Sequence, residues 1–158
     1  MEKDQFVNLV SQIEADMFHL ALSVLHREQD CADAIQEAVI KAYTGRDTLK
    51  RQEYFKTWIM RILLNECYAL LRRQKRLIPM EEQMLDAQVD FGNYVKEEYL
   101  DLYRAIGTLK EKDRICVLLY YIEGYSIRQI AQIMQMPDGT VKSRLRRARI
   151  QLKDRLKD

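Results

Sequence analysis

The chain has 158 residues, with 26 Lys and Arg against 24 Asp and Glu and a formal net charge of +2, a length that suits one ordinary domain or two small ones. Three widely spaced cysteines, Cys31, Cys67 and Cys116, exclude a CxxC redox or zinc motif and, being odd in number, argue against a disulfide framework. No cationic segment followed by an apolar one opens the chain, and the longest apolar run, ICVLLYYI at 115–122, is too short to span a bilayer, so a cytoplasmic protein without membrane insertion is expected.

The near balance of charge conceals blocks. Residues 1–48 carry 4 basic and 9 acidic side chains, residues 49–77 carry 8 and 2, residues 78–101 carry 1 and 7, and residues 140–158 carry 8 and 2. Two basic blocks separated by an acidic one suggest two surfaces for a polyanion. Five glycines and two prolines are few for a β protein, and the apolar residues recur at helical spacing, so an all-α fold is expected.

In chain order, the first informative segment is DCADAIQEAVIKAY, residues 30–43, in which Ala34, Ile35, Ala38, Val39 and Ala42 fall at core spacing while Asp33, Gln36 and Glu37 share a polar face. Acids four residues apart are common on helix surfaces, and neither His19 nor His26 supplies a ligand pattern, so a protein-docking face is a better reading than a metal site. The polar, cationic stretch TGRDTLKRQE at 44–53 then leads into YFKTWIMRILLNECYALLRRQKR at 54–76, a long helix on which Arg61, Asn65, Arg72 and Arg73 form a polar line beside Trp58 and the apolar stripe. Cations that hold phosphates next to aromatic faces suit single-stranded nucleic acid.

The stretch IPMEEQMLDAQVDFGNY, 78–94, combines Pro79, Gly92 and four acids without an amphipathic stripe. It reads as a flexible acidic linker over 77–94, between a helical domain at 1–76 and another at 95–158. In the second, Ser126 caps a helix bearing Ile127, Ile130, Ala131 and Met134, MPDG makes a sharp turn, and TVKSRLRRARIQL restarts the helical pattern. Val141, Leu145, Ala148 and Leu152 lie within about 60° of one another at 100° per residue. Thr140, Ser143, Arg146 and Arg147 point away from that stripe and Lys142, Arg144 and Arg149 flank it, the make-up of a helix-turn-helix that enters a major groove.

The order of these segments resembles the extracytoplasmic-function type of sigma factor in the sigma-70 family. GYSIRQIAQIMQMPDGTVKSRLRRAR at 124–149 resembles domain four of that family, and DCADAIQEAVIKAY and FKTWIMRILLN resemble domain two. The resemblance implies a non-enzymatic subunit, without catalytic residues, cofactor or metal, that binds core RNA polymerase through its clamp coiled coil and flap. On it, Asp33, Gln36 and Glu37 dock on the clamp, and the loop at 44–53 with Trp58, Arg61, Asn65, Arg72 and Arg73 recognises and opens the −10 element. Thr140, Lys142, Ser143, Arg144 and Arg147 lie against the −35 duplex, and an anti-sigma factor covers both DNA-binding faces until a signal arrives. Ala69 stands where the family usually has an acidic or amide residue, and Lys110 where it usually has proline. A stand-alone helix-turn-helix repressor or activator is the alternative, but it leaves the Trp58 segment and the acidic linker without a role. An enzyme finds no GxxxxGK loop, HExxH helix or clustered ligands to work with.

Overall fold

The structure, a computed structural model, describes residues 1–77 and 88–156, with the side chains of residues 76 and 77 left aside. It is all-α among those residues. The first unit consists of α1 (Lys3–Gln12), α2 (Glu14–Leu25), α3 (Glu28–Thr44) and α4 (Phe55–Leu77). Cys31, Ala34, Ala38 and Ala42 are buried on α3, and their small size lets its backbone approach α4, whose Phe55, Ile59, Met60, Leu63, Leu64 and Cys67 face inward. Buried Glu66 on α4 pairs with Lys41 on α3, which fixes the register of the two helices. The backbone turns sharply at His26, which closes α2 in the left-handed region at φ 67°.

The second unit consists of α5 (Leu100–Gly107), α6 (Glu111–Val117), α7 (Ile127–Met134) and α8 (Asp138–Leu156). Past Val117 the helix widens into a π-helical turn over Leu118–Ile122, closed by Glu123 N–H donating to the Leu118 carbonyl at 3.0 Å. Gly124, at φ 78°, then reverses the chain toward α7. At the start of α7, Ser126 Oγ accepts from the Gln129 amide while the Gln129 side chain accepts from the Ser126 amide, a reciprocal cap that spares two of the helix's unpaired donors. Gln135 ends α7 at φ 53°, and Pro137 directly precedes α8.

The two units pack together. Helix α7 lies on α4, and α6 with the π-turn lies on α2. Fully buried Arg114 of α6 donates from Nε to the Ser23 carbonyl of α2 at 3.2 Å and from Nη1 to the Leu109 carbonyl at 2.8 Å. Tyr68 of α4 donates to Glu111 of α6 at 3.1 Å. Most of the segment expected as linker, including Pro79, lies outside the described residues. Its remainder, residues 88–94, returns to the fold with Val89 and Phe91 buried. The Phe91 ring stands 5.9 Å from Tyr103 on α5 and 6.4 Å from His19 on α2, and Tyr94 meets Phe18 of α2 edge-on at 5.0 Å.

Candidate nucleic-acid and polymerase interfaces

Helix α8 buries Val141, Leu145, Ala148 and Leu152 and exposes Lys142, Ser143, Arg146, Arg147 and Arg149, with Thr140 and Arg144 half-buried. Its arginines are not equivalent. Asp113 of α6, with no exposed side-chain surface, accepts from Arg144 Nη1 at 2.9 Å, from Arg147 Nε at 3.0 Å and from Arg147 Nη2 at 2.8 Å. Burial alone would raise its pKa, but the hydrogen bonds and charges of Arg147 and Arg144 outweigh that and hold the carboxyl below the usual range. Arg149 donates to the Tyr121 hydroxyl at 3.0 Å. Arg146 is exposed and has no hydrogen bond or ion pair among the described residues. Ser143 returns its hydroxyl proton to the Gly139 carbonyl at 3.0 Å.

On α4, Trp58, Arg61, Asn65 and Arg72 fall within about 60° of one another at 100° per residue, and Arg73 flanks them. Arg61, Asn65, Arg72 and Arg73 are exposed, whereas Trp58 is half-buried with its ring 6.1 Å from Phe55. Ala69 lies on the same face. The preceding loop is tied down by Arg46, which donates to the Met1 carbonyl at 3.0 Å and the Tyr43 carbonyl at 2.7 Å and stands over the Tyr43 ring at 4.0 Å. Lys50 and Arg51 remain exposed, with Arg51 paired to Glu53 at 3.3 Å.

Asp33, Gln36 and Glu37 are all exposed along α3, and Gln29 donates to Asp33 at 3.2 Å. Ile35 and Val39, expected in the core, are half-buried and line a groove with Val10, Met17, Gln36 and Ile40 beside the acidic face. Ile40, which the core spacing does not include, is 53 % exposed and adds apolar surface to that groove. Arg72 and Arg144, assigned to separate DNA surfaces, line one cleft of about 500 Å³ between the two units, together with Lys75, Lys110 and Lys112. No group of His, Cys, Asp or Glu among the described residues could hold a metal ion, and no helix among them is long and apolar enough to cross a membrane.

Two cationic helices on two helical units, the second within a helix-turn-helix, define a DNA-binding protein. Comparison with known proteins narrows the class. Residues 9–77 match sigma-70 region 2, and residues 99–152 match sigma-70 region 4. The chain is 30% identical over 157 residues to the RNA polymerase sigma factor SigV of Bacillus subtilis (strain 168), covering 95% of this chain and 92% of that one. It is 31% identical over 169 residues to the ECF RNA polymerase sigma-E factor of Haemophilus influenzae, covering 98% and 89%. In shape it is similar to the sigma factor RpoE crystallised with the anti-sigma factor NepR from Bartonella quintana, with a TM-score of 0.80, 24% identity and 97% of each chain covered. The chain belongs to the sigma-70 family, as an RNA polymerase sigma factor of the ECF type. It is a transcription-initiation subunit that binds core RNA polymerase and recognises promoters, and it is not an enzyme.

Proposed function

We propose a division of that work among three surfaces. Asp33, Gln36 and Glu37 on α3 dock on the clamp coiled coil of core polymerase. Trp58, Arg61, Asn65, Arg72 and Arg73 on α4, with the loop before it, take the −10 element as it opens. Helix α8 reads the −35 duplex through Thr140, Lys142, Ser143, Arg144 and Arg147. The units divide accordingly into residues 1–76 and 95–158, joined by 77–94. The observation that carries this reading is the pair of exposed cationic faces on α4 and α8, each within a segment matching a different sigma-70 region. Joining two weak sites on one scaffold raises affinity through effective concentration, and opening a base pair draws on binding energy alone.

An anti-sigma factor that covers both faces belongs to the same reading. The similar RpoE fold was crystallised with the anti-sigma factor NepR, which supports the proposal by analogy of shape.

Reconstituted transcription with core polymerase on a random promoter library tests the division. The expected result is selection of two sequence boxes at fixed separation, the upstream one dependent on α8 and the downstream one on α4. Tight binding to a palindromic duplex without core, together with no promoter-specific transcript, would establish the stand-alone regulator instead.

A further inference from the structure

We infer that Asp113 is a positioning residue for −35 reading: by holding the forks of Arg144 and Arg147 against α6, it leaves Lys142, Ser143 and Arg146 as the side chains of α8 that discriminate bases. The inference rests on the assignment of α8 to duplex DNA and changes which of its residues carry sequence information.

An arginine distinguishes guanine by presenting two parallel N–H groups to its O6 and N7. Arg147 already presents two, Nε at 3.0 Å and Nη2 at 2.8 Å, to the two oxygens of Asp113. What remains, on a side chain 51 % exposed, is the Nη1 edge, which suffices for a phosphate oxygen. Arg144 is only 24 % exposed and donates Nη1 to the same carboxylate, and its Nε is buried with no acceptor among the described residues. Either arginine that turns its fork outward gives up its bonds to a fully buried carboxylate, and the departure of both would leave an uncompensated buried charge, which is strongly unfavourable.

Lys142, Ser143 and Arg146 lie within about 100° of one another on the helix, and Lys142 and Arg146 stand about 100° or more from both arginines that hold Asp113. All three are exposed, and of them Arg146 offers an uncommitted guanidinium fork. The arrangement separates two tasks that a row of mobile arginines would mix. Held cations set the depth and register of α8 against the phosphates, and one mobile fork reads a base edge. Holding Arg144 and Arg147 also restrains contacts to any duplex whatever its sequence, which raises the ratio of specific to non-specific binding.

The test uses the full chain assembled with core polymerase, and compares binding to a promoter duplex with its preferred −35 box and to one with that box scrambled, at several salt concentrations. Asp113→Ala should release both guanidiniums, steepen the salt dependence by about one to two phosphate contacts and lower discrimination about tenfold. Asp113→Glu should restore part of that discrimination. Arg146→Ala should reduce discrimination about tenfold, whereas Arg147→Ala should weaken both duplexes alike. Those single-arginine variants decide the matter even where Asp113→Ala does not fold. Discrimination that follows Arg147 and ignores Arg146, or a folded Asp113→Ala protein with unchanged salt slope and discrimination, overturns the inference while leaving α8 as the reader. If Lys142→Ala, Arg146→Ala and Arg147→Ala all leave both duplexes bound as before, the assignment of α8 falls and takes the inference with it.

Discussion

Glu123 closes the π-turn with both carboxylate oxygens buried and without hydrogen-bond partners among the described residues. Burial, reinforced by the charge of Asp16 on α2, pushes its pKa up to about 9. Tyr103 of α5 and Tyr125 share this environment and are pushed up as well, so both stay neutral. A carboxyl whose folded pKa is raised contributes stability that is complete below its ordinary value and is lost as the pH rises to about 9. The slope is at most about 1.4 kcal/mol per pH unit. His19 and His26 act at the other end. Burial lowers both, aided at His26 by Arg114, so their contribution is complete above the ordinary value of 6.5 and is lost as the pH falls below it. Calorimetry should therefore show Tm decreasing between pH 7 and 9, and Glu123→Gln should flatten that decrease; an equal slope in the variant would assign it elsewhere. The cysteines are also governed by burial, which pushes Cys31 to about 12 and Cys116 to about 11 and raises Cys67 too. A thiol reagent should accordingly modify the native chain only at its opening or unfolding rate, and rapid modification of the folded protein would contradict the buried placement.

At the scale of elements, α3 serves two masters on opposite faces. Its alanines fix the approach to α4, and its acids face outward beside an apolar groove. Because Asp33 and Glu37 are exposed, changing both to Lys should cost about 0.5 kcal/mol of stability or less while abolishing association with core. Normal co-purification with core would transfer docking to another face. The cap of α7 is a separate test of local structure: Ser126→Ala should lower stability by about 1 kcal/mol, measured by urea unfolding, since it strands the Gln129 amide.

These elements also show what the sequence made legible. The stripes of α4 and α8 and the cap at Ser126 are local patterns, and the helices form where those patterns indicate. The π-turn gives no comparable signal, because its i to i+5 bond breaks the 3.6-residue period on which such readings depend. Ile35 and Val39 satisfy core spacing as well as Ala34 and Ala38 do, and only packing against α1 and α2 shows that they border a groove. Arg144 and Arg147 were legible as cations of the right helix. Their partner stands 31 and 34 residues away, and no periodicity links a lone Asp on α6 to a face of α8. Arg146 had the signal that could have found it, an outward position away from the apolar stripe, but nothing local distinguishes it from its paired neighbours.

For the whole molecule, the packed arrangement and the proposed task differ in reach. The −10 and −35 elements are about 25 base pairs apart by their names, or roughly 85 Å of duplex at 3.4 Å per step. A compact chain of 158 residues has a radius of gyration of about 15 Å. Simultaneous reading therefore requires the units to part, with α7 leaving α4 and α6 leaving α2. Leu77 and Leu100 are separated by 22 residues, a number that spans at most roughly 70 Å, and for the units to part Val89 must leave Gly107 of α5 and Phe91 its site between His19 of α2 and Tyr103 of α5. Phe91→Ala should shift the free chain toward the parted form, read as a larger radius of gyration in small-angle X-ray scattering and as stronger core binding. A variant that keeps the compact radius would show that other contacts carry the closure.

Gly107 gives that closure an unusual genetic exposure. A Cβ at this position would stand 1.9 Å from the carbonyl oxygen of Val89, although no left-handed backbone angle calls for glycine there. The close seat of Val89 thus depends on a hydrogen atom where every other residue carries carbon. One nucleotide change in a glycine codon suffices to make alanine, and it would dislodge the returning segment while leaving the cationic faces of α4 and α8 unaltered. Selection on how readily the two units part can therefore act at a single codon, remote from every residue proposed to touch a promoter.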